Sequence, residues 1–314
     1  MSIIAVLIIT ALAGGGVSAA AESALPGDAL YAVKVSVNEE VRAAFTFSAE
    51  RKANWEARRA ERRLEEVEKL SVENRLSADA RARVEANFKV FADRVAARIA
   101  DFEAREDFRA AAEVSSNFET SLNAHREVLL RLAAEEKDEK EKGELGAVAA
   151  RVRTAVTATT KARGEAEVKL VAKDGPEVQA AAEGKLKAAE NKIEEVKKFI
   201  EASKTNLGAQ ATTEAEARLK VAEDTVASGR AKLDVKAYGE AFVLFQKAHR
   251  IAQEAKLMTG SRVELKVDVK MGTEKDDSEN ATSSRGVQGG VDMKAQDGST
   301  SSEIQGGVKL EVRF

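Results

Sequence analysis

Apolar positions along the middle of the chain recur at spacings of three and four, the period of one buried helix face. Val84, Phe88, Phe91, Val95, Ile99 and Phe102 form one such seam. Phe108, Ala111, Ser115, Phe118, Leu122, His125, Leu129 and Leu132 form a second. The polar triplet Arg105-Glu106-Asp107 separates them, which predicts either an antiparallel αα-hairpin or one long kinked helix. Leu186, Ala189, Ile193, Val196 and Ile200 repeat the pattern, and a last helix is expected from about Val235 to Met258. Within it Tyr238, Ala241, Phe245 and Ala248 resemble half of a tetratricopeptide repeat. No second copy follows at the repeat's period, so a plain helical hairpin is expected there.

The polar punctuation between seams sets the expected ends. Ser36-Val37-Asn38-Glu39 and Thr213-Glu214-Ala215-Glu216 have the form of capping boxes, and Ser48 is placed to cap another helix. The charged run from Glu135 to Lys142, with Gly143 and Gly146, is expected to close one helical segment, and Val148 to begin a weaker one. Asp174-Gly175-Pro176-Glu177 reads as a turn with proline at the first position of a new helix. The alanine-rich stretch 147–172 has few large side chains to bury and is expected to be the least stable part. Lone helices are marginal in water, so the seams must close on each other or on a partner.

After Gly260 the period changes. Val263, Leu265, Val267, Val269 and Met271 alternate with polar residues as a strand does, and the polar stretch Thr273 to Arg285 has the composition of disorder. Two related pieces, residues 288–294 and 305–311, follow. The tail is expected to be a short sheet, or disordered until a partner supplies an edge strand. It holds too few strands for a membrane barrel, which needs at least about eight.

At the other end, Ile3 to Leu12 is an apolar run, followed by three glycines and then Ser18, Ala19, Ala20 and Ala21. That order reads as a secretory signal with cleavage after Ala19 or Ala21, although no positive region precedes it. Ile3 to Ala21 is also just long enough to span a bilayer of about 30 Å as an uncleaved anchor. Either way the body is expected outside the bacterial cytoplasm, secreted or membrane-anchored.

Leu25-Pro26-Gly27-Asp28-Ala29-Leu30-Tyr31-Ala32-Val33-Lys34 follows directly. Pro26-Gly27 suits the centre of a type II turn, and Asp28 is placed to cap the next helical turn. This motif, with Val41, Phe45-Thr46-Phe47-Ser48 and the Arg/Glu-rich helix from Glu50 to Leu70, resembles the domain-of-unknown-function 5667 family of bacterial extracytoplasmic helical domains, mainly over residues 24–70. The resemblance implies a helical fold beside a membrane and no known activity. The motif also resembles the extracytoplasmic side of some anti-sigma-factor proteins. Only Met1 and Ser2 precede the apolar run here, so no sigma-binding function is expected.

Composition narrows the function classes. Charged residues are 33% and aromatics 4%, the balance of surface-rich helices rather than a thick core. The 50 basic and 53 acidic residues nearly cancel, so no global field draws nucleic acid. Cysteine is absent, which excludes disulfides and thiolate chemistry. His125 and His249 are the only histidines, and neither has the spacing of a metal set. No phosphate-binding glycine loop and no nucleophile elbow occurs. No catalytic residue, cofactor or metal is expected. Arg51, Lys52, Arg58, Arg59, Arg62 and Arg63 are the candidate polyanion contact. Glu50, Glu56, Glu61, Glu65 and Glu66 interleave with them at ion-pairing distances, so a solvated, self-neutralised face is the simpler expectation. Trp55 within this stretch could anchor a helix contact or sit at a membrane interface.

The sequence therefore predicts an all-α protein of elongated antiparallel hairpins or a coiled-coil-like bundle with a short β-rich or disordered tail. The expected divisions are 1–21, 22–142, 143–258 and 259–314. The leading functional expectation is a non-enzymatic structural or protein-interaction module of the cell envelope, meeting a protein partner or its own copy through the seams. A sensor or accessory ectodomain acting with a membrane partner is the alternative, and an anionic lipid or polyanion binder the third.

Overall fold

The computed structural model describes residues 18–173 and 175–279. Residues 1–17 of the expected signal or anchor (1–21) and the tail from residue 280 lie outside the described residues. The chain divides into a compact unit ending at Gly272 and a second from Thr273. Among the described residues every regular element is helical, and no helix is long and apolar enough to cross a membrane.

A short helix α1 (Tyr31–Val33) runs through a π-helical segment (Lys34–Asn38) into α2 (Glu39–Ala44). Seven long helices follow: α3 (Ala49–Val72), α4 (Ala78–Ala104), α5 (Phe108–Glu135), α6 (Glu139–Lys173), α7 (Pro176–Leu207), α8 (Ala209–Asp234) and α9 (Tyr238–Glu279). The strongest pairings join sequence neighbours, α3 with α4, α5 with α6 and α7 with α8. With such short connections these are antiparallel hairpins.

Three of the turns share one design. Asn74, Glu106 and Lys236 take left-handed φ angles of 53°, 57° and 60°. At each, the following N–H reaches back to close a six-to-one bond: Arg75 to Leu70, Asp107 to Phe102 and Ala237 to Lys232, at 2.8–2.9 Å. This Schellman closure satisfies the helix's last carbonyls. The next helix then starts on a side-chain cap where one is available, Ser77 accepting from Ala80 N–H and Asp107 from Ala110 N–H. The break at 105–107 therefore makes a hairpin, not a kinked helix.

Both seams are inside. Val84, Phe88, Phe91, Val95, Ile99, Phe102, Phe118 and Leu122 are all buried in one core cluster. Ser48 caps α3, its Oγ accepting from Arg51 N–H at 3.2 Å, and Pro176 begins α7.

Several expected boundaries move. Ser36 lies within the π segment and Thr213 inside α8, its hydroxyl bonded to Ala209 O, so neither capping box forms. The end expected near Lys142 falls inside α6, whose start at Glu139 is capped by Asp138, its Oδ1 accepting from Lys140 and Glu141 N–H. Gly143 and Gly146 are ordinary helix positions there. The alanine-rich stretch does not lack a place in the core: Val148, Ala149, Val152 and Ala166 are buried, and small side chains let α6 run close along α5. Val263 to Met271, expected as a strand, belongs to α9. Its alternation also contains four-residue spacings, 263–267–271 and 265–269, that a helix accepts, and a lone Gly260 costs only about 1 kcal/mol.

Polar ties fix α9 to the hairpins before it. Gln246, 1% exposed, donates to Ala112 O at 2.9 Å. Phe245 is fully buried against Gly229 of α8.

Candidate functional site: a buried ionic cluster beneath the Leu-Pro-Gly-Asp motif

The motif folds into a tight knot. Asp28 N–H bonds Leu25 O at 2.9 Å across Pro26-Gly27, and Gly27 has φ +105°, as the third position of a type II turn requires. Asp28 does not cap the following helix. Its carboxylate turns back to accept from Leu25 N–H at 2.7 Å and takes Arg75 at 2.6 Å. That backbone donor, with Arg75, holds the Asp28 carboxyl below the ordinary range despite some desolvation. Leu25 enters the core, and Leu30, half-buried, precedes α1.

The next motif residues point into the protein. The Tyr31 hydroxyl donates to Glu66 at 2.8 Å. Lys34 Nζ bonds Ala24 O at 2.9 Å and Glu66 at 2.7 Å. The π segment explains how Lys34, Asn38 and Glu39 can all be buried: its wider turn, closed by Glu39 N–H on Lys34 O, keeps all three on one side.

Glu39 is the hub. Its carboxylate meets Arg59 at 3.3 Å, Arg62 at 3.2 Å and Arg63 at 2.7 Å. Arg63 also reaches Glu66 at 2.9 Å, while Arg59 takes Glu40 and Glu56. Lys34, Arg59 and Arg63 on one side and Glu39, Glu56 and Glu66 on the other are buried, so the charges nearly cancel. The cations also rest on rings, Arg59 at 4.1 Å from the Phe91 centroid and Arg63 at 5.7 Å from Tyr31. Nε and Nη1 of Arg63 have no hydrogen-bond acceptor, and the guanidinium carbon lies 5.7 Å from the Tyr31 ring centroid and 5.8 Å from that of Phe91.

The cluster extends to the start of the described chain. Arg62 pairs with Glu22, and Asn38 donates to Ser18 O at 2.7 Å. Ala21 is fully buried.

Six basic residues were the candidate polyanion contact, and the structure divides them. Arg59 and Arg63 are buried and Arg62 is largely covered, so half of the set cannot meet a polyanion. Arg58 is exposed but engaged by Glu61 and Glu65 at 3.1 and 2.9 Å. Arg51 is exposed and Lys52 half-buried. The face is self-neutralised as expected, but its inner half is dry, and its central acid, Glu39, comes from another helix.

Elsewhere His125 meets Glu68 at 2.8 Å, and His249 borders a small depression with Lys192 and Arg58. Among the described residues no three acidic or histidine side chains converge to hold a metal ion. A half-open groove of about 460 Å³ lies between α4 and α6. Phe88, Ile99 and Phe118 lie in it with a row of alanines, and the Arg151–Glu85 pair stands at its edge.

Residues 23–155 match the family described as a domain of unknown function (DUF5667). The match runs well past residues 24–70, through α4 and α5 into α6. No curated protein and no solved structure matches the chain.

Proposed function

We propose that this chain is a non-catalytic structural and protein-interaction module of the cell envelope, whose N-terminal domain joins an apolar tether to a helical body at a fixed angle. The observation that carries the reading is the buried cluster around Glu39. It engages Ala24, Tyr31 and Lys34 on either side of the Leu-Pro-Gly-Asp turn together with α2 and α3, and each of its charged groups is turned toward an opposite charge rather than toward a cleft. Buried ion pairs add little net stability but penalise every arrangement that leaves one charge alone. Such a device suits a joint that must hold one geometry. The groove between α4 and α6, apolar and half-open, offers a partner a surface beyond that joint.

The test is in-cell crosslinking of the tagged full-length chain, followed by mass spectrometry of what copurifies from the envelope fraction. A reproducible envelope protein crosslinked near the groove, for instance through the exposed Lys89, is the expected result. Crosslinks confined to the chain itself would replace the interaction role with that of a spacer. Recovery from the cytoplasm would overturn the reading.

A further inference from the structure

Four large apolar side chains stand exposed on one short stretch: Val37 and Val41 are each 50% accessible, Phe45 72% and Phe47 79%. The first three recur every four residues from the π segment through the end of α2, and Phe47 follows in the link before Ser48. Two phenylalanine rings left in water forgo the burial that normally stabilises such side chains. Clustered exposure of this kind marks a contact surface.

Position along the chain decides what it contacts. Asn38, between Val37 and Val41, holds Ser18, and Ser18, Ala19, Val37 and Val41 line one shallow depression. Leu12, the last residue of the apolar run, stands six residues before Ser18. Fully extended, that link spans at most about 20 Å. A bilayer entered by the apolar run therefore lies within reach of the patch. Its surroundings suit the interfacial zone, where aromatic and cationic side chains gather. Arg42 is exposed, pairs with Glu22 at 3.6 Å and lies 5.9 Å from the Trp55 ring centroid, and Arg51 is exposed nearby in sequence. Of the neighbouring acids, Glu40 is engaged by Arg59 and Glu50 by Arg109, and Glu22, at the edge of the depression, is shared between Arg42 and Arg62.

We propose that Val37, Val41, Phe45 and Phe47 form a lipid-inserting surface that seats this end of the domain in the bilayer interface. The inference rests on the reading of Ile3 to Leu12 as a membrane tether, and the experiment separates the two. Trp55 is the only tryptophan, so the full chain carrying Trp55→Phe offers a dark background. Phe47→Trp or Phe45→Trp is added as the reporter, with Val235→Trp, at a 70% exposed site, as control. Each variant is reconstituted with phosphatidylethanolamine–phosphatidylglycerol vesicles containing acyl-brominated lipid.

Blue-shifted emission at 45 and 47 that the bromines quench, with the control unaffected, is the expected result. Emission at both sites like that of indole in water overturns the lipid surface while leaving the tether intact. Blue-shifted but unquenched emission overturns it in favour of a protein cover, which crosslinks between two patches would identify as a second copy. A chain that does not float with the vesicles overturns the tether reading, and this proposal with it.

Discussion

Glu39 of α2 and Arg63 of α3 meet at 2.7 Å with neither side chain retaining any exposure. Arg59 and Arg62 lean on the same carboxylate, so removing its charge takes an anionic partner from three guanidiniums at once. Glu39→Gln is expected to cost about 3–5 kcal/mol, the range for breaking a buried pair by removing one partner. Glu40→Gln also removes a contact to Arg59, but Glu40 is half in solvent, and its loss should stay within about 1 kcal/mol. Urea unfolding of the two variants beside the parent checks this. Equal losses would mean that the cluster does not hold α2 to α3.

The Tyr31 hydroxyl tests the same joint from the motif side. Burial, reinforced by the Glu66 carboxylate, pushes its ionisation well above that of a free tyrosine. In a spectrophotometric titration Tyr31 should ionise only as the fold is lost. Tyr31→Phe removes one donor from a carboxylate that keeps Lys34 and Arg63. The expected cost is about 1–2 kcal/mol, toward the lower end for bonds to charged groups. A Tyr31→Phe protein as stable as the parent would place the hydroxyl outside the joint.

The helices were legible because their seams are made of large side chains at strict spacing. Val84 to Phe102 could be read without a structure, and so could the break at Glu106, whose polar neighbours stop both seams. The charged site was not read as buried, because hydrophobic periodicity ignores charge. Glu56, Arg59, Arg63 and Glu66 follow at spacings of three, four and three, the same signature as an apolar seam. They alternate with Ala53, Ala60, Leu64, Val67 and Leu70 on the buried side of α3. Counting charged residues as seam positions would have found them. Glu39 carried no such signal, since its inward direction depends on a π turn that no local spacing announces. The ends at Ser36 and Thr213 failed for a simpler reason: a capping box marks a helix start only where the backbone before it has left the helix.

The two histidines should pull stability in opposite directions with pH. Burial alone would lower the pKa of His125, but Glu68, with Glu61 and Glu65 behind it, raises it to about 9. The folded state then binds a proton more tightly than the unfolded chain. That stabilisation is full below about pH 6.5 and is lost as pH rises through about 9. His249 is lowered to about 4 by burial and by Lys185 and Lys192, against weaker opposition from Glu113 and Glu195. Its contribution is complete above about pH 6.5 and is lost as pH falls through about 4. Ring-proton NMR resolves both, with His125→Asn and His249→Asn to assign the signals. Two titrations near the ordinary histidine value would refute both environments.

Three glycines on α6, α8 and α9 separate close packing from open helix surface. A Cβ on Gly229 would stand 2.5 Å from Cε1 of the buried Phe245 ring, so Gly229→Ala must displace the ring, a strain of about 1–3 kcal/mol. On Gly239 the Cβ would stand 2.6 Å from Val171 Cα. There the backbone of α6 must retreat, and Gly239→Ala should be the worse of the two. Gly146 has nothing within 4 Å of that position, and alanine there should stabilise α6 by about 0.5–1 kcal/mol through backbone entropy alone. Melting curves of the three single variants rank these effects. Phe245→Leu combined with Gly229→Ala should lose less than the two single losses added together, because the smaller side chain leaves room for the methyl group. Strict additivity would mean that α8 and α9 do not meet at that ring.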